Sequence, residues 1–118
     1  MSDKVISGKK YGFKDLLIVP QRSDLKSRSE VDLVREFKFK HSPHKWSGVP
    51  IVAANMDTVG TFEIALTLMK HKMLTATHKH YSIEDWDKQI ASLSEADQKE
   101  FFEYTMLSTG TSEIDYNK

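Results

Sequence analysis

The stretch GVPIVAANMDTVGTFEIALTLMKHKMLTATHKHYS, residues 48–82, decides the fold. Ile51-Val52-Ala53-Ala54 is an apolar run bounded by Pro50 and Asn55. A short apolar run between breakers is expected to be a strand buried on both faces. Phe62, Ala65, Leu66, Met69 and Met73 then keep the spacing of one helix face. Thr61 suits the N-cap of that helix, and Glu63 suits its positive first turn. Residues 74–77 read as a second strand. Each strand runs straight into a polar cluster: Asn55-Met56-Asp57-Thr58 after the first, His78-Lys79-His80-Tyr81 after the second.

The pattern continues toward the C-terminus. Ser82-Ile83-Glu84-Asp85 has the form of a capping box, with Asp in place of the usual Glu. Ile83, Trp86, Ile90 and Leu93 supply the apolar face of the helix it opens. Ser94 and Asp97 open another short helix, through Phe101 or Phe102. Residues 104–107 read as a third strand, closed by Ser108-Thr109-Gly110-Thr111. The order from Pro50 is therefore β-α-β-α-β. Helical connections between consecutive strands favour parallel pairing. In such sheets ligands bind beyond the carboxyl ends of the strands. Three polar segments should therefore meet on one rim.

Residues 1–49 read as an N-terminal extension and loop, and residues 50–118 as the first βα units. Residues 1–12 are polar and expected to be irregular. In FKDLLIVP, residues 13–20, Pro20 must end or bend a short apolar run. Residues 21–33 are charged and loop-like. Val31 and Leu33, then Phe37 and Phe39, alternate with charged residues as half-buried strands do. HKWSGVP and its neighbours, residues 40–50, read as a turn-rich connection.

The chain has 118 residues, with 17 Lys+Arg balancing 17 Asp+Glu. A neutral chain argues against a nucleic-acid partner, which a basic excess would serve. There is no cysteine, so no disulfide, thiolate metal site or cysteine nucleophile lies within these residues. The N-terminus has no apolar core of a secretory signal, and no stretch approaches the ~18 apolar residues of a membrane span. A soluble cytoplasmic protein is expected.

Each candidate residue has a plain alternative. Asp57 can hold a ligand hydroxyl or simply serve a turn. Met56 can cover a flat ring or pack internally. Lys79, between two histidines, suits a phosphate contact or proton transfer, and also a solvated surface. His78 and His80 are two apart and would face the same way in an extended segment, but no further ligand is at metal-site spacing. KSRS, Lys26–Ser29, carries two cations that can meet a dinucleotide phosphate or stay in a charged loop. The hydroxyls of residues 108–111 can contact phosphate or ribose, and are also ordinary loop chemistry.

Taken in order, FKDLLIVPQRSDLKSRSEVDL, WSGVPIVAANMDTVGTFE, THKHYS and STGTS resemble the N-terminal third of the GMP reductases, from about Tyr11 onward. The related IMP dehydrogenases normally carry Ser-Pro where this chain has Ala54-Asn55. They also differ after the second strand and commonly carry a regulatory insertion, for which residues 93–104 leave no room. The resemblance implies a (β/α)8 TIM barrel, of which about three of eight strands are present here. It implies NADPH-dependent reductive deamination of GMP to IMP and ammonia, in a homo-oligomer, usually a tetramer. In that family a loop cysteine attacks C2 of the purine, ammonia leaves, and hydride reduces the adduct; potassium organises the cysteine loop.

By the same resemblance, Lys79 lies by the cofactor and assists ammonia release, and Thr111 belongs to the same network. Ser27 and Arg28 reach the NADPH of a neighbouring subunit. Met56 lies against the purine, with Asp57 beside it. The nucleophilic cysteine and the potassium site fall outside these residues. The chain alone is expected to be inactive without the remaining barrel portion. The alternatives are a piece of an IMP dehydrogenase, or a short non-catalytic relative that acts as an interaction module.

Overall fold

The computed structural model describes residues 8–116; residues 1–7, within the segment expected to be irregular, lie outside them, as do Asn117 and Lys118. The chain divides into two units, residues 1–31 and 32–118. Among the described residues of the first unit, the regular elements are two single-turn 3-10 helices, Phe13–Asp15 and Arg28–Glu30. The Gly12 amide donates to Asp15 Oδ2 at 2.9 Å and fixes the first of them. Ser27 caps the second, its Oγ accepting from the Ser29 amide. Phe13, Leu17 and Ile18 are almost fully exposed.

The second unit is a mixed α/β structure. Strands β1 (Arg35–Lys38), β2 (Lys45–Ala53), β3 (Met73–Ala76) and β4 (Thr105–Met106) form one four-stranded sheet in that order. β1 pairs antiparallel with β2; β2, β3 and β4 are parallel neighbours. Helix α1 (Phe62–Met69) connects β2 to β3, and α2 (Ile83–Ala91) and α3 (Glu95–Tyr104) connect β3 to β4. A short α4 (Glu113–Tyr116) follows β4. Among the described residues no helix is long and apolar enough to cross a membrane.

The expected caps form. Thr61 Oγ1 accepts from the Ile64 amide. Ser82 Oγ accepts from the Asp85 amide at 3.1 Å while Asp85 Oδ2 accepts from the Ser82 amide at 2.8 Å, so each satisfies a donor the other leaves open. Ser94 Oγ receives the Asp97 amide in the same way at the start of α3.

The core joins Trp46, Phe62, Ala65, Met69, Leu74, Phe101 and Tyr104. Phe62 is its hub: Trp86 meets it edge-on at 4.9 Å and Phe101 lies 6.2 Å away. Trp46 anchors the other end, donating Nε1–H to the Glu103 carbonyl while Tyr104 donates to the Ser47 carbonyl. These bonds tie β2 to the end of α3 across 57 positions of sequence.

Several sequence expectations are corrected. Residues 45–50, within the connection expected as turns over residues 40–50, are instead the first part of β2; Trp46 pairs with Phe37 across the hairpin and is buried. The pairing outweighs the turn-like Ser-Gly-Pro composition because it buries a large ring. The Ile51-Val52 pair, expected to be buried on both faces, is about half exposed. The reason is that β1 pairs only with residues 45–48, so the rest of β2 has a neighbour on one side alone. Pro50 cannot donate to a ladder, and the β2–β3 register shifts between Val49 and Val52 around it. Met73, placed on the face of α1 by spacing, instead opens β3. Lys72 turns the chain there with φ 56°, and its carbonyl accepts from the Val49 amide at 2.7 Å. Val31 and Leu33 lie in no strand and are exposed, and Tyr104 ends α3 rather than starting β4.

Gly60, like Gly48 against the Lys72 carbonyl, is required by close approach. A Cβ on Gly60 would stand 2.2 Å from the Ala76 carbonyl oxygen and 3.0 Å from the His78 amide. Both obstacles are backbone, so neither can swing aside. We expect Gly60→Ala in the complete polypeptide to lose about 3 kcal/mol in urea unfolding, the overpacking cost of a core that must shift. Gly12→Ala is the control. Its Cβ would meet only Asp15 Oδ2, at ordinary contact distance, and the loss should stay under about 0.5 kcal/mol.

Candidate functional site

The parallel strands β2, β3 and β4 deliver three loops to one end of the sheet: residues 54–60, 77–81 and 107–112. The first loop is a tight turn in which the Met56 carbonyl accepts from the Val59 and Gly60 amides. It is joined to the second by the His78 amide, which donates to the Gly60 carbonyl at 2.9 Å. The second is joined to the third through Thr77, buried, whose amide and Oγ1 both donate to the Met106 carbonyl, at 2.9 and 3.0 Å. Strand pairing thus continues as a ladder of single bonds into the loops.

Side chains add a second set of ties. Tyr81 stacks face to face on Phe62 at 3.7 Å, and its hydroxyl accepts from the Phe62 amide at 3.1 Å. One residue therefore packs on the core and caps an open donor at the start of α1. His78 stacks on the other side of the loop against Tyr81 at 4.1 Å. His80 Nε2 lies 3.2 Å from Asp57 Oδ1, linking the second loop to the first. The His80 amide donates to His78 Nδ1 at 3.3 Å.

Between the second and third loops lies a cleft of about 300 Å³. Ile83, Trp86, Phe102 and Leu107 give it apolar walls; Lys79, Ser108, Thr109 and Asp115 bring polar groups to it. Thr105 also lines the cleft, and its Oγ1 is buried with no hydrogen-bond partner. An apolar slot with a few placed polar groups suits a flat ring that bears a hydrogen-bonding substituent. Asp115 fits closely against Gly110, where a Cβ would collide with the carboxylate. Its amide donates to Ser112 Oγ, and Ser112 Oγ donates to its carboxylate at 2.6 Å.

The sequence-derived candidates are distributed as follows. Lys79 lines the cleft with Ser108 and Thr109 of the Ser-Thr-Gly-Thr segment. Asp57 is joined to His80, next to Lys79 in sequence, and Met56 precedes it with a 60% exposed side chain. Thr111 is exposed in the bend just before α4, outside the cleft lining. Ser27 and Arg28 belong to the first unit, as the cap and first residue of its second 3-10 helix. Among the described residues no group of three or more His, Cys, Asp or Glu is placed to hold a metal ion. His78 and His80, weighed as metal ligands or as part of a solvated surface, build the loop. Tyr81, named in the sequence only as part of its cluster, shows its part only in the fold, because its partner Phe62 lies 19 positions away.

Comparison with known proteins places this geometry. The IMP dehydrogenase / GMP reductase domain matches residues 10–112. The chain is 58% identical over 109 residues to the GMP reductase of Citrobacter koseri, covering 92% of this chain and 30% of that protein. The GMP reductases of Edwardsiella ictaluri and Shewanella pealeana are 57% and 55% identical over the same shares. The chain thus spans about 30% of the length of the curated relatives it matches. With the match covering all three rim loops, the chain belongs to the IMP dehydrogenase/GMP reductase family.

Proposed function

We propose that this chain is part of a GMP reductase, an oxidoreductase that converts GMP to IMP and ammonia with NADPH. The observation that carries the reading is the 58% identity to a protein of that name over 109 residues. The substitution of Ala54-Asn55 for the Ser-Pro usual in IMP dehydrogenases supports it over the sister activity. In this reading β2, β3 and β4 are strands of a (β/α)8 barrel, which needs about 250 residues and so more than this chain holds. The complete enzyme is a cytoplasmic homo-oligomer, a tetramer by family resemblance.

The cleft suits the reduced nicotinamide. Its apolar walls match a flat ring, and the Ser108 and Thr109 hydroxyls match a carboxamide. NADPH supplies the hydride that replaces the departing amino group at C2 of the purine. The chain's own residues do the rest of what is local. Lys79 holds charge at the cleft and gives a proton to the leaving amine. Thr111 assists in the same network. Met56 covers the purine face, and Asp57 orients the loop beside it. Ser27 and Arg28 bind the NADPH of a neighbouring subunit, where a guanidinium can fork onto phosphate. The chain contains no cysteine, so the nucleophile comes from outside these residues, as does any potassium site. This chain by itself is inactive in this reading.

The complete gene product, given GMP with NADPH and separately IMP with NAD, tests the assignment. Consumption of NADPH with release of ammonia is expected; NADH formation from IMP alone would make it a dehydrogenase. Activity with neither pair would favour a non-catalytic interaction module. Within a working reductase, Lys79→Met should lower kcat about 100-fold or more, as loss of a proton donor does. Arg28→Ala should raise KM for NADPH about tenfold with kcat nearly unchanged, the mark of uniform binding lost at a charged hydrogen bond. Equal losses in kcat for both variants would refute these separate roles.

A further inference from the structure

We infer that His80 is a positioning residue: paired with Asp57 across two loops, it fixes the segment that presents Lys79 to the cleft. The inference rests on the reductase reading for what Lys79 does there. Its geometry stands independently. Lys79 lies between two residues that are each anchored elsewhere. On one side, the His78 amide is bound to the Gly60 carbonyl and its ring lies on Tyr81. On the other, His80 reaches Asp57 at 3.2 Å through Nε2, and its amide is turned back to His78 Nδ1.

The pair is a close contact between an imidazole nitrogen and a carboxylate oxygen, 3.2 Å apart. The tie also reaches the residue proposed to cover the purine. Asp57 follows Met56, whose carbonyl holds the turn that ends at Gly60. Two points of the first loop, Gly60 and Asp57, thus hold the two neighbours of Lys79.

Both side chains are more than half exposed, at 59% and 77%. An exposed pair contributes little to stability, because water screens it and two side chains must be ordered. Its effect should therefore appear in geometry. A displacement of about 1 Å at a reacting group can cost as much as 100-fold in rate, so a weak tie next to Lys79 can matter to turnover while leaving the fold untouched.

The test uses the complete enzyme and the variants His80→Ala and His80→Gln. His80→Ala should lower kcat about tenfold, a fraction of the loss a full 1 Å misplacement gives, with KM for GMP within about twofold of wild type. Its thermal midpoint should not move, and amide exchange across residues 78–81 should quicken. His80→Gln, which keeps a polar group of similar reach, should restore both kcat and exchange protection. Adding Asp57→Asn to His80→Ala should cost less than the two single losses combined, because both remove one interaction. Unchanged exchange in His80→Ala, or faster exchange with unchanged kcat, would overturn the inference. So would a kcat loss matched by a lower thermal midpoint in both variants. If the wild type turns over no GMP but His80→Ala still loosens residues 78–81, the tie stands and the reductase reading falls.

Discussion

Everything at the rim depends on one backbone contact, the seating of Gly60 on the end of β3. A hydrogen is the only substituent that fits between its Cα and the Ala76 carbonyl. With that space closed, the Gly60 carbonyl can receive the His78 amide at 2.9 Å, and the loop after β2 becomes continuous with the loop after β3. Parallel pairing alone would bring the strand ends together but leave the loops independent. The contact converts two loops into one body. It also sets where α1 begins, since Thr61 and Phe62 follow immediately.

Phe62 then links that body to the core. Its ring is shared by Tyr81 from the rim and by Trp86 and Phe101 from α2 and α3. Tyr81 contributes apolar area on one side and a hydrogen-bond acceptor at the tip, a use of its two-sided chemistry. Loops that carry ligand-binding groups are usually the mobile parts of a fold. Here the segment that bears Lys79 inherits rigidity from the core through a stack of three rings, His78, Tyr81 and Phe62. The outermost links, His80 with Asp57 and the His80 amide with His78 Nδ1, lie in solvent.

The sequence made the parallel βαβ order, the helix starts and the rim loops legible, because those signals are local. Ser82 with Asp85, and Thr61 before Phe62, announce helices through hydrogen bonds that span three residues. The β1–β2 hairpin was hidden for the opposite reason. Ser47, Gly48 and Pro50 look like a turn, and the gain from burying Trp46 against Tyr104 and Glu103 becomes visible only when distant residues are brought together. Met73 misled because eleven residues complete about three helical turns, so a strand residue just past the helix still falls on its apolar stripe. At the site, Lys79 stood out by charge and company. The pairing of His80 with Asp57 did not, since nothing in the local pattern tells a solvated histidine from one that meets a carboxylate on another loop.

The arrangement of strand edges bears on how such a sheet could close. A barrel requires two open edges that run parallel to one another, each ready to accept a strand. A hairpin strand beside β2 would ordinarily block one of them. β1, however, is in register only with residues 45–48, and stops before the part of β2 that pairs with β3 over residues 49–53. The stretch of β2 nearest the rim thus keeps its second edge uncovered, and β4 keeps its outer edge at the opposite side of the sheet. Exposure follows the same division: Ile51 and Val52 on one margin, Met106 and Leu107 on the other. Edges left long and apolar invite unwanted pairing, and closure removes them. The half-length pairing of β1 is therefore compatible with the (β/α)8 reading, in which added strands would cover both margins, whereas a full-length hairpin would oppose it.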